Sequence, residues 1–225
     1  MTAAPSKTDA EWTALLADTL DKLQVSLGTA RLAYLTATSK VENPVRDGMA
    51  YFMHRCLLAD GYVVAREYPA GKLQRRDIAI LADGKPEVEV ELKALYGCNV
   101  VSQAGRAEYL SSHAADAARL RLSPAAGFLV SLVTHPMDRI EEPALWAVKY
   151  PRQHNAAVKT MGGATELYQK AQRWYDDLAQ FGPVPHHTEH DLGSVYGLPL
   201  RLSCYLVGPL EKVVPSGVSQ PIVRA

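Results

Sequence analysis

The sequence has no excess of either charge, few cysteines and no long run of apolar residues. Its 24 basic and 24 acidic side chains give zero net charge, which argues against a protein that holds nucleic acid mainly by bulk electrostatic attraction. A nuclease remains compatible with this balance, because acidic metal ligands offset basic phosphate contacts in the sum. The three cysteines, Cys56, Cys98 and Cys204, are far apart. We therefore expect reduced thiols, as in a cytosolic protein, and neither disulfide bonds nor a zinc framework.

Targeting segments are also not apparent. No apolar run is long enough to span a bilayer, and the first residues lack the apolar region of a signal peptide. We therefore expect no membrane contact and a cytoplasmic location. Of the 225 residues, 48% are hydrophobic and 21% charged, which suits a single globular domain.

The spacing of apolar residues predicts an alternation of helices and strands. The predicted helices cover residues 9–25, 41–60, 103–120 and 163–181. The predicted strands cover residues 62–68, 74–81, 87–95, 128–134, 144–150 and 200–207, and residues 151–162 are a predicted loop. Helices must cover a mixed sheet, so we expect an α/β protein with three α/β/α layers. We expect one domain over residues 1–225, with a core at about 40–134, an N-terminal helix at 9–25 and a C-terminal elaboration at 135–225.

Two adjacent predicted strands carry the most informative residues. Asp77 lies in the first strand, and Glu91 and Lys93 lie in the second. Because side chains alternate along a strand, Glu91 and Lys93 point the same way. The apolar residues that would face the core are Ile78 and Ile80 in the first strand and Val88, Val90 and Leu92 in the second.

The register of this hairpin follows from the same alternation. Both apolar sets share a face only if paired residue numbers have an even sum. A three-residue loop from Ala82 to Gly84 gives an even sum, whereas a two-residue loop does not. We therefore predict the three-residue loop, which places Asp77 opposite Glu89 and diagonal to Glu91, on the face that carries Glu91 and Lys93.

These residues suit a metal-dependent phosphodiester hydrolase. The carboxylates of Asp77 and Glu91 and the backbone carbonyl of Leu92 are oxygen ligands of the kind that Mg²⁺ prefers. A cation there would polarise a phosphate and lower the pKa of a bound water. Three roles are open for Lys93: it could orient the water, bind a phosphate oxygen, or stabilise developing charge.

The order of elements over residues 40–134 resembles the PD-(D/E)xK nuclease superfamily, which has the restriction-endonuclease-like fold. The shared order is a helix, a strand, a strand with Asp, a strand with Glu-x-Lys, a helix and a strand. The resemblance implies that Asp77, Glu91 and Lys93 are the metal-binding and catalytic residues. It implies a further catalytic acid at Glu42, near the start of the preceding helix. It also implies Mg²⁺ as cofactor, with Mn²⁺ as a substitute, and hydrolysis of DNA to leave a 5′ phosphate.

Four neighbouring residues have two interpretations each. Arg75 and Arg76 are expected to contact phosphates beside the site, or else form a solvated basic face; Arg76 stands where the family has a proline. Glu67 matches a position at which some family members have another acid, or it pairs with nearby arginines. Glu42 has an alternative role in a helix capping box with Ser39.

Two other polar clusters have plainer interpretations. The histidine-rich segment 186–191 is predicted to be a polar loop, with a zinc or transition-metal site as the alternative. Asp116 and Arg119 are most simply placed on an exposed polar face of the helix over 103–120.

The sequence therefore predicts a Mg²⁺-dependent DNA endonuclease. Cutting both strands of a duplex would favour a homodimer. The first alternative is a nuclease-fold DNA-binding subunit, weak or inactive in catalysis, of a DNA-processing or defence complex. The second is a protein in which the acidic strand is only a solvated sheet edge.

Overall fold

The computed structural model describes residues 7–71 and 74–213. The strands within them are β1 (Val63–Gly71), β2 (Gln74–Ala82), β3 (Lys85–Tyr96), β4 (Ala126–Pro136), β5 (His186–Val195) and β6 (Leu198–Val207). They form a six-stranded sheet in the order β1-β2-β3-β4-β6-β5. The pair β3–β4 is parallel and the other neighbouring pairs are antiparallel, so the sheet is mixed.

Helices lie before β1, between β3 and β4, and between β4 and β5. They are α1 (Asp9–Asp21), α2 (Leu23–Leu27), α3 (Thr29–Thr38), α4 (Glu42–Leu57), α5 (Gly97–Val101), α6 (Gln103–Arg121), α7 (Pro151–Met161), α8 (Ala164–Ala171) and α9 (Trp174–Leu178). Short 3-10 helices cover Leu58–Asp60 and Ala144–Trp146. In the described part of the chain, no helix has both the length and the apolar character needed to cross a membrane.

Two apolar clusters place one helical layer on each face of the sheet. On one face, residues of α1, α3 and α4 pack with Ile78, Val90 and Phe128. On the other face, residues of α6, α8 and α9 pack with Leu129 and Val133. The α/β class and the mixed sheet between two helical layers are thereby confirmed.

Most predicted elements are found within a few residues of their predicted bounds. The N-terminal helix starts at a capping box formed by Thr8 and Glu11 and divides at Lys22 into α1 and α2. The predicted helix over 163–181 is also divided, into α8 and α9. The α4 helix passes into a 3-10 turn that ends at Gly61, whose φ of 83° suits glycine.

Three predictions in the C-terminal part are wrong. The segment 144–150 is a short 3-10 helix followed by turns that pack on α3, where the Lys149 amide donates to the Ala37 carbonyl at 2.9 Å. Residues 151–161 form α7, which starts at a proline that fits the first helical position. Residues 186–191 belong to β5, because they pair with β6 at the edge of the sheet.

Candidate active site

The β2–β3 hairpin has a shorter turn than the parity argument predicts. Ala82 pairs with Lys85, so the turn contains Asp83 and Gly84. Both have positive φ values, 49° and 77°, as in the type I′ turn that matches the twist of a hairpin. The prediction of a three-residue loop is therefore wrong.

A β-bulge restores the predicted parity beyond the turn. Leu81 pairs with Pro86, whereas Ile80 pairs with Val88, so Glu87 is an extra residue on β3. One additional residue changes the sum of paired numbers from odd to even. The two apolar sets consequently share a face, as the alternation of the sequence requires.

The ladder between β2 and β3 ends just before Asp77. Its last pair is Ile78 with Val90, and Ala79 lies opposite Glu89, the position predicted for Asp77. Regular alternation would put the side chain of Arg76 on the same face of the sheet as that of Ile78. Its guanidinium instead contacts Glu89 at 2.8 Å and the α6 backbone at 3.5 Å. The alternation from which a shared face for Asp77 and Glu91 was predicted therefore does not extend to Asp77.

Asp77 and Glu42 instead approach β3 at its backbone. The Leu92 amide donates to Asp77 Oδ2 at 2.7 Å, and the Ala94 amide donates to Glu42 Oε2 at 3.1 Å. Glu42 is the first residue of α4, where the helix dipole favours an acid. The predicted capping box with Ser39 is wrong, because that hydroxyl donates to the Leu35 carbonyl of the preceding helix. Both acids thus sit beside alternate residues of β3.

Glu91 and Lys93 point towards α6. Lys93 Nζ lies 2.8 Å from Asp116 Oδ2 and donates to the Leu92 carbonyl at 3.3 Å. Arg119 contacts the other oxygen of Asp116, and its guanidinium lies 3.8 Å from Glu91 Oε1. The expectation that Asp116 lies on an exposed face is wrong, since Asp116 is only 2% exposed.

The spacing of residues along α6 indicates that Asp116 lies on the buried face of the helix. Position 116 falls on the stripe, at intervals of three and four residues, that one face of a helix buries. The other buried residues of this stripe are Tyr109, His113, Ala117 and Leu120. An acid on such a stripe needs a buried partner, and Lys93 is that partner.

The pKa values of Glu91 and Lys93 reflect their burial and the close spacing of these charged groups. Burial raises the pKa of Glu91 to about 8, with further contributions from the charges of Asp116 and Asp77, while Lys93 and Arg119 oppose the shift. Burial lowers the pKa of Lys93, but the hydrogen bond and charge of Asp116 outweigh it and the net shift is upward. Lys93 therefore stays charged while Glu91 readily holds a proton.

Burial and neighbouring charges also compete in setting the pKa of Glu42 at the start of α4. Burial raises the pKa of Glu42, and the charge of Asp77 adds to this effect. Lys93 and the bond from the Ala94 amide oppose it. Glu42, Asp77, Glu91 and Lys93 thus influence one another across the end of the ladder.

The two arginines predicted to bind phosphate lie in different environments. The side chain of Arg75 is 71% exposed and lies 3.7 Å from Glu67 Oε2. Arg76 is 4% exposed and paired with Glu89, so a phosphate contact would require that buried pair to open. Glu67 also contacts Arg46. Of its two interpretations, these contacts agree with the one in which Glu67 pairs with nearby arginines.

The histidine-rich segment is distributed over both faces of β5. His186 lies 2.9 Å from Asp21 Oδ1, and His190 Nε2 lies 2.9 Å from the Leu20 carbonyl, both on α1. His187 stacks on Tyr205, with ring centroids 4.4 Å apart. Strand alternation therefore separates the imidazoles that the sequence places together.

The donor atoms at the end of the ladder are suited to a hard cation. In residues 7–71 and 74–213, no three His, Cys, Asp or Glu side chains form a ready metal-binding group. Mg²⁺, however, is usually held by one or two carboxylates and completed by water and phosphate. Glu91 Oε1 is buried without a hydrogen-bond partner, and Asp77 uses one oxygen for the Leu92 amide. The available oxygens fit such a cation.

Comparisons with known proteins do not extend this picture. No family model, no curated protein and no solved structure matches the chain. The resemblance to PD-(D/E)xK nucleases therefore depends on the order of elements and on the residues described above.

Proposed function

We propose that the protein is a metal-dependent nuclease that hydrolyses DNA phosphodiester bonds. The observation that carries the proposal is the convergence of Glu42, Asp77, Glu91 and Lys93 at the end of the β2–β3 ladder. Partly buried acids and a lysine that interact with one another are typical of sites that perform chemistry rather than of a solvated strand face. The order of the surrounding elements supports the same proposal.

Asp77, Glu91 and the Leu92 carbonyl are the proposed ligands of Mg²⁺, with Mn²⁺ as a substitute. A bound divalent cation supplies Lewis acidity and a bound water of lowered pKa. Glu91 must release its proton to act as a ligand, and an adjacent divalent charge favours that release. The chain itself contributes these oxygens, from Asp77 on β2 and from Glu91 and Leu92 on β3.

Lys93 is proposed to act on the phosphate. Its ammonium stays charged because Asp116, Glu42 and Glu91 outweigh the effect of burial on its pKa. A charged donor that is already oriented stabilises negative charge that develops on phosphate oxygens. Glu42, which lies at the same end of β3, is the proposed additional acid. Arg75 is exposed and is the proposed phosphate contact beside the site.

A plasmid-cleavage assay tests this function. Wild-type protein is expected to cut DNA with Mg²⁺ or Mn²⁺, to stop with EDTA, and to leave 5′ phosphates. Asp77→Asn is expected to abolish cleavage, and Lys93→Ala is expected to reduce it to a small residual rate. Asp191→Asn and Lys170→Ala make the same chemical changes on β5 and α8 and are expected to cut normally.

The assay also separates the alternatives. DNA binding without metal-dependent cutting would favour a non-catalytic DNA-binding subunit. Cleavage of RNA in place of DNA would keep the chemistry and change the substrate. Neither binding nor cleavage of either nucleic acid would refute the proposal and favour a structural acidic strand. Sedimentation of the active protein tests the proposed homodimer.

A further inference from the structure

We propose that Asp116 of α6 is a positioning residue that holds the Lys93 ammonium at the end of the β2–β3 ladder. This inference rests on the proposed nuclease function and adds a residue to it. Asp116 would act through Lys93 and would not itself contact the substrate.

The contacts of Asp116 constrain Lys93 from the helical layer. Asp116 Oδ2 lies 2.8 Å from Lys93 Nζ, and the Asp116 side chain is 3% exposed. Arg119, one turn further along α6, contacts the other carboxylate oxygen. The carboxylate is therefore oriented from one side by Arg119 and presents its second oxygen to Lys93.

Packing alone gives no reason for a carboxylate at this position. The other residues on the buried stripe of α6 include Tyr109, Ala117 and Leu120, and the charged groups that contact the Asp116 carboxylate are Lys93 and Arg119. The Asp116 charge also acts unfavourably on the nearby Glu91. Buried like charges and buried ion pairs are costly compared with apolar packing. The benefit that offsets this cost is the fixed position of the Lys93 ammonium.

Lys93 needs such a restraint because its side chain is long and flexible. Its other contact is a 3.3 Å bond to the Leu92 carbonyl, a proposed metal ligand. The Glu42 carboxylate also attracts this ammonium. Without Asp116, we expect the ammonium to move between these groups and to lose its alignment with the scissile phosphate.

Single-turnover cleavage at saturating DNA and Mg²⁺ provides the first test. Asp116→Asn is expected to lower the cleavage rate constant about tenfold to hundredfold, as misplacement of a catalytic group does, with unchanged Kd for DNA. Asp177→Asn, the same change in the ion pair between Asp177 of α9 and Arg106 of α6, is expected to leave the rate constant unchanged. Circular dichroism and thermal unfolding verify that both variants fold.

A double-mutant cycle distinguishes positioning from a general structural effect. In the Lys93→Ala background, Asp116→Asn is expected to have no further effect on the residual rate. If the two losses multiply independently, or if Asp116→Asn alone cuts at the wild-type rate, the positioning role is overturned.

A measurement independent of cleavage separates this inference from the proposed function. Lysine acylation by a small anhydride, quantified by mass spectrometry on the full chain, is expected to be several-fold faster at Lys93 in Asp116→Asn than in wild type. Lys170 is expected to react equally in both proteins. Unchanged labelling of Lys93 would overturn the proposal that Asp116 restrains its ammonium. Faster labelling in a protein that cuts no nucleic acid would support the restraint by Asp116 and refute the proposed nuclease function.

Discussion

Polar residues cluster in two regions of the sheet, the β5–β6 end and the β2–β3 end, and the strand geometry arranges the two clusters differently. At the β5–β6 end, regular alternation sends His186 and His190 towards α1 and His187 towards Tyr205. At the β2–β3 end, the ladder stops and acids gather around the backbone and side chains of β3. Regular pairing disperses neighbouring polar residues, whereas an interrupted ladder concentrates them.

The electrostatic balance also differs between the two ends. Burial lowers the pKa of His190, which favours a neutral imidazole bonded to a carbonyl. At the other end, burial raises the pKa of Glu91 to about 8, and the charges of Asp116 and Asp77 add to the shift. The β5–β6 end therefore has the character of a structural network. The β2–β3 end tolerates like charges at close range, as expected of a site selected for chemistry.

Matched substitutions at the two ends give the largest expected difference. Lys93→Ala should lower the cleavage rate about a thousandfold, the loss expected when a charged stabilising group is removed. His190→Ala should lower stability and leave the rate constant per folded molecule unchanged. Both are measured as single-turnover cleavage with folded fractions from circular dichroism. An equal loss of rate in both variants would remove the functional distinction between the ends.

The buried pair of Arg76 and Glu89 should give the largest effect on stability. Arg76→Ala leaves Glu89 and Glu91 without their nearest guanidinium, at 2.8 and 3.6 Å. The free energy of unfolding should fall by about 3 kcal/mol, since breaking a buried pair leaves an uncompensated charge. Urea unfolding measures this loss. His186→Ala at the exposed pair with Asp21 should cost less than about 1 kcal/mol; equal losses would contradict the comparison.

Two glutamates should show opposite dependence of stability on pH. Folded Glu91 keeps its proton up to about pH 8, whereas an unfolded glutamate loses it near its ordinary pKa, so raising the pH destabilises the wild type over this interval. The unfolding free energy of Glu91→Gln relative to wild type should rise between about pH 5 and 8, by on the order of 2 kcal/mol. Unfolding in urea across this pH range checks the slope.

Glu189 provides the control at the other end of the sheet. Burial raises its pKa, but hydrogen bonds from Tyr168 and Ser203 outweigh it and the net shift is downward. The stability that Glu189 contributes is present above its ordinary pKa and is lost as the pH falls. Glu189→Gln should therefore destabilise the protein near neutral pH and progressively less in acid. Parallel slopes for the two variants would contradict the assignment of different roles.

Local patterns were sufficient to predict that β2 pairs with β3 and to select Asp77, Glu91 and Lys93 as candidate residues. The alternation of Ile78, Ile80, Val88 and Val90 predicted the parity of the register, which the structure confirms. Parity alone could not show that the extra residue is Glu87 in a bulge, because a longer turn satisfies it equally well. The break in alternation at Asp77 depends on contacts with α4 and α6, which no local pattern contains.

The remaining errors have the same physical origin. Asp116 looks like part of a polar face until the buried stripe of α6 is aligned with Tyr109 and Leu120. The segment 186–191 looks like a loop because several of its polar residues bind partners distant in sequence, such as Asp21 on α1. Contacts between residues distant in sequence determine the burial of Asp116 and the strand at 186–191, and local sequence patterns do not show such contacts directly.

Two glycines, one at each end of the sheet, give the smallest expected effect and test what sets the register of the site. Gly84 and Gly193 have φ values of 77° and 69°, and an added Cβ at either would meet no atom within 4 Å. Each change to alanine should therefore cost about 1 kcal/mol of backbone strain, measured by urea unfolding. Because the bulge at Glu87 and the apolar pairs beyond it fix the register, Gly84→Ala should cut DNA as fast as Gly193→Ala. A slower rate for Gly84→Ala alone would mean that the two-residue turn, rather than the bulge, aligns Asp77 with Glu91 and Lys93.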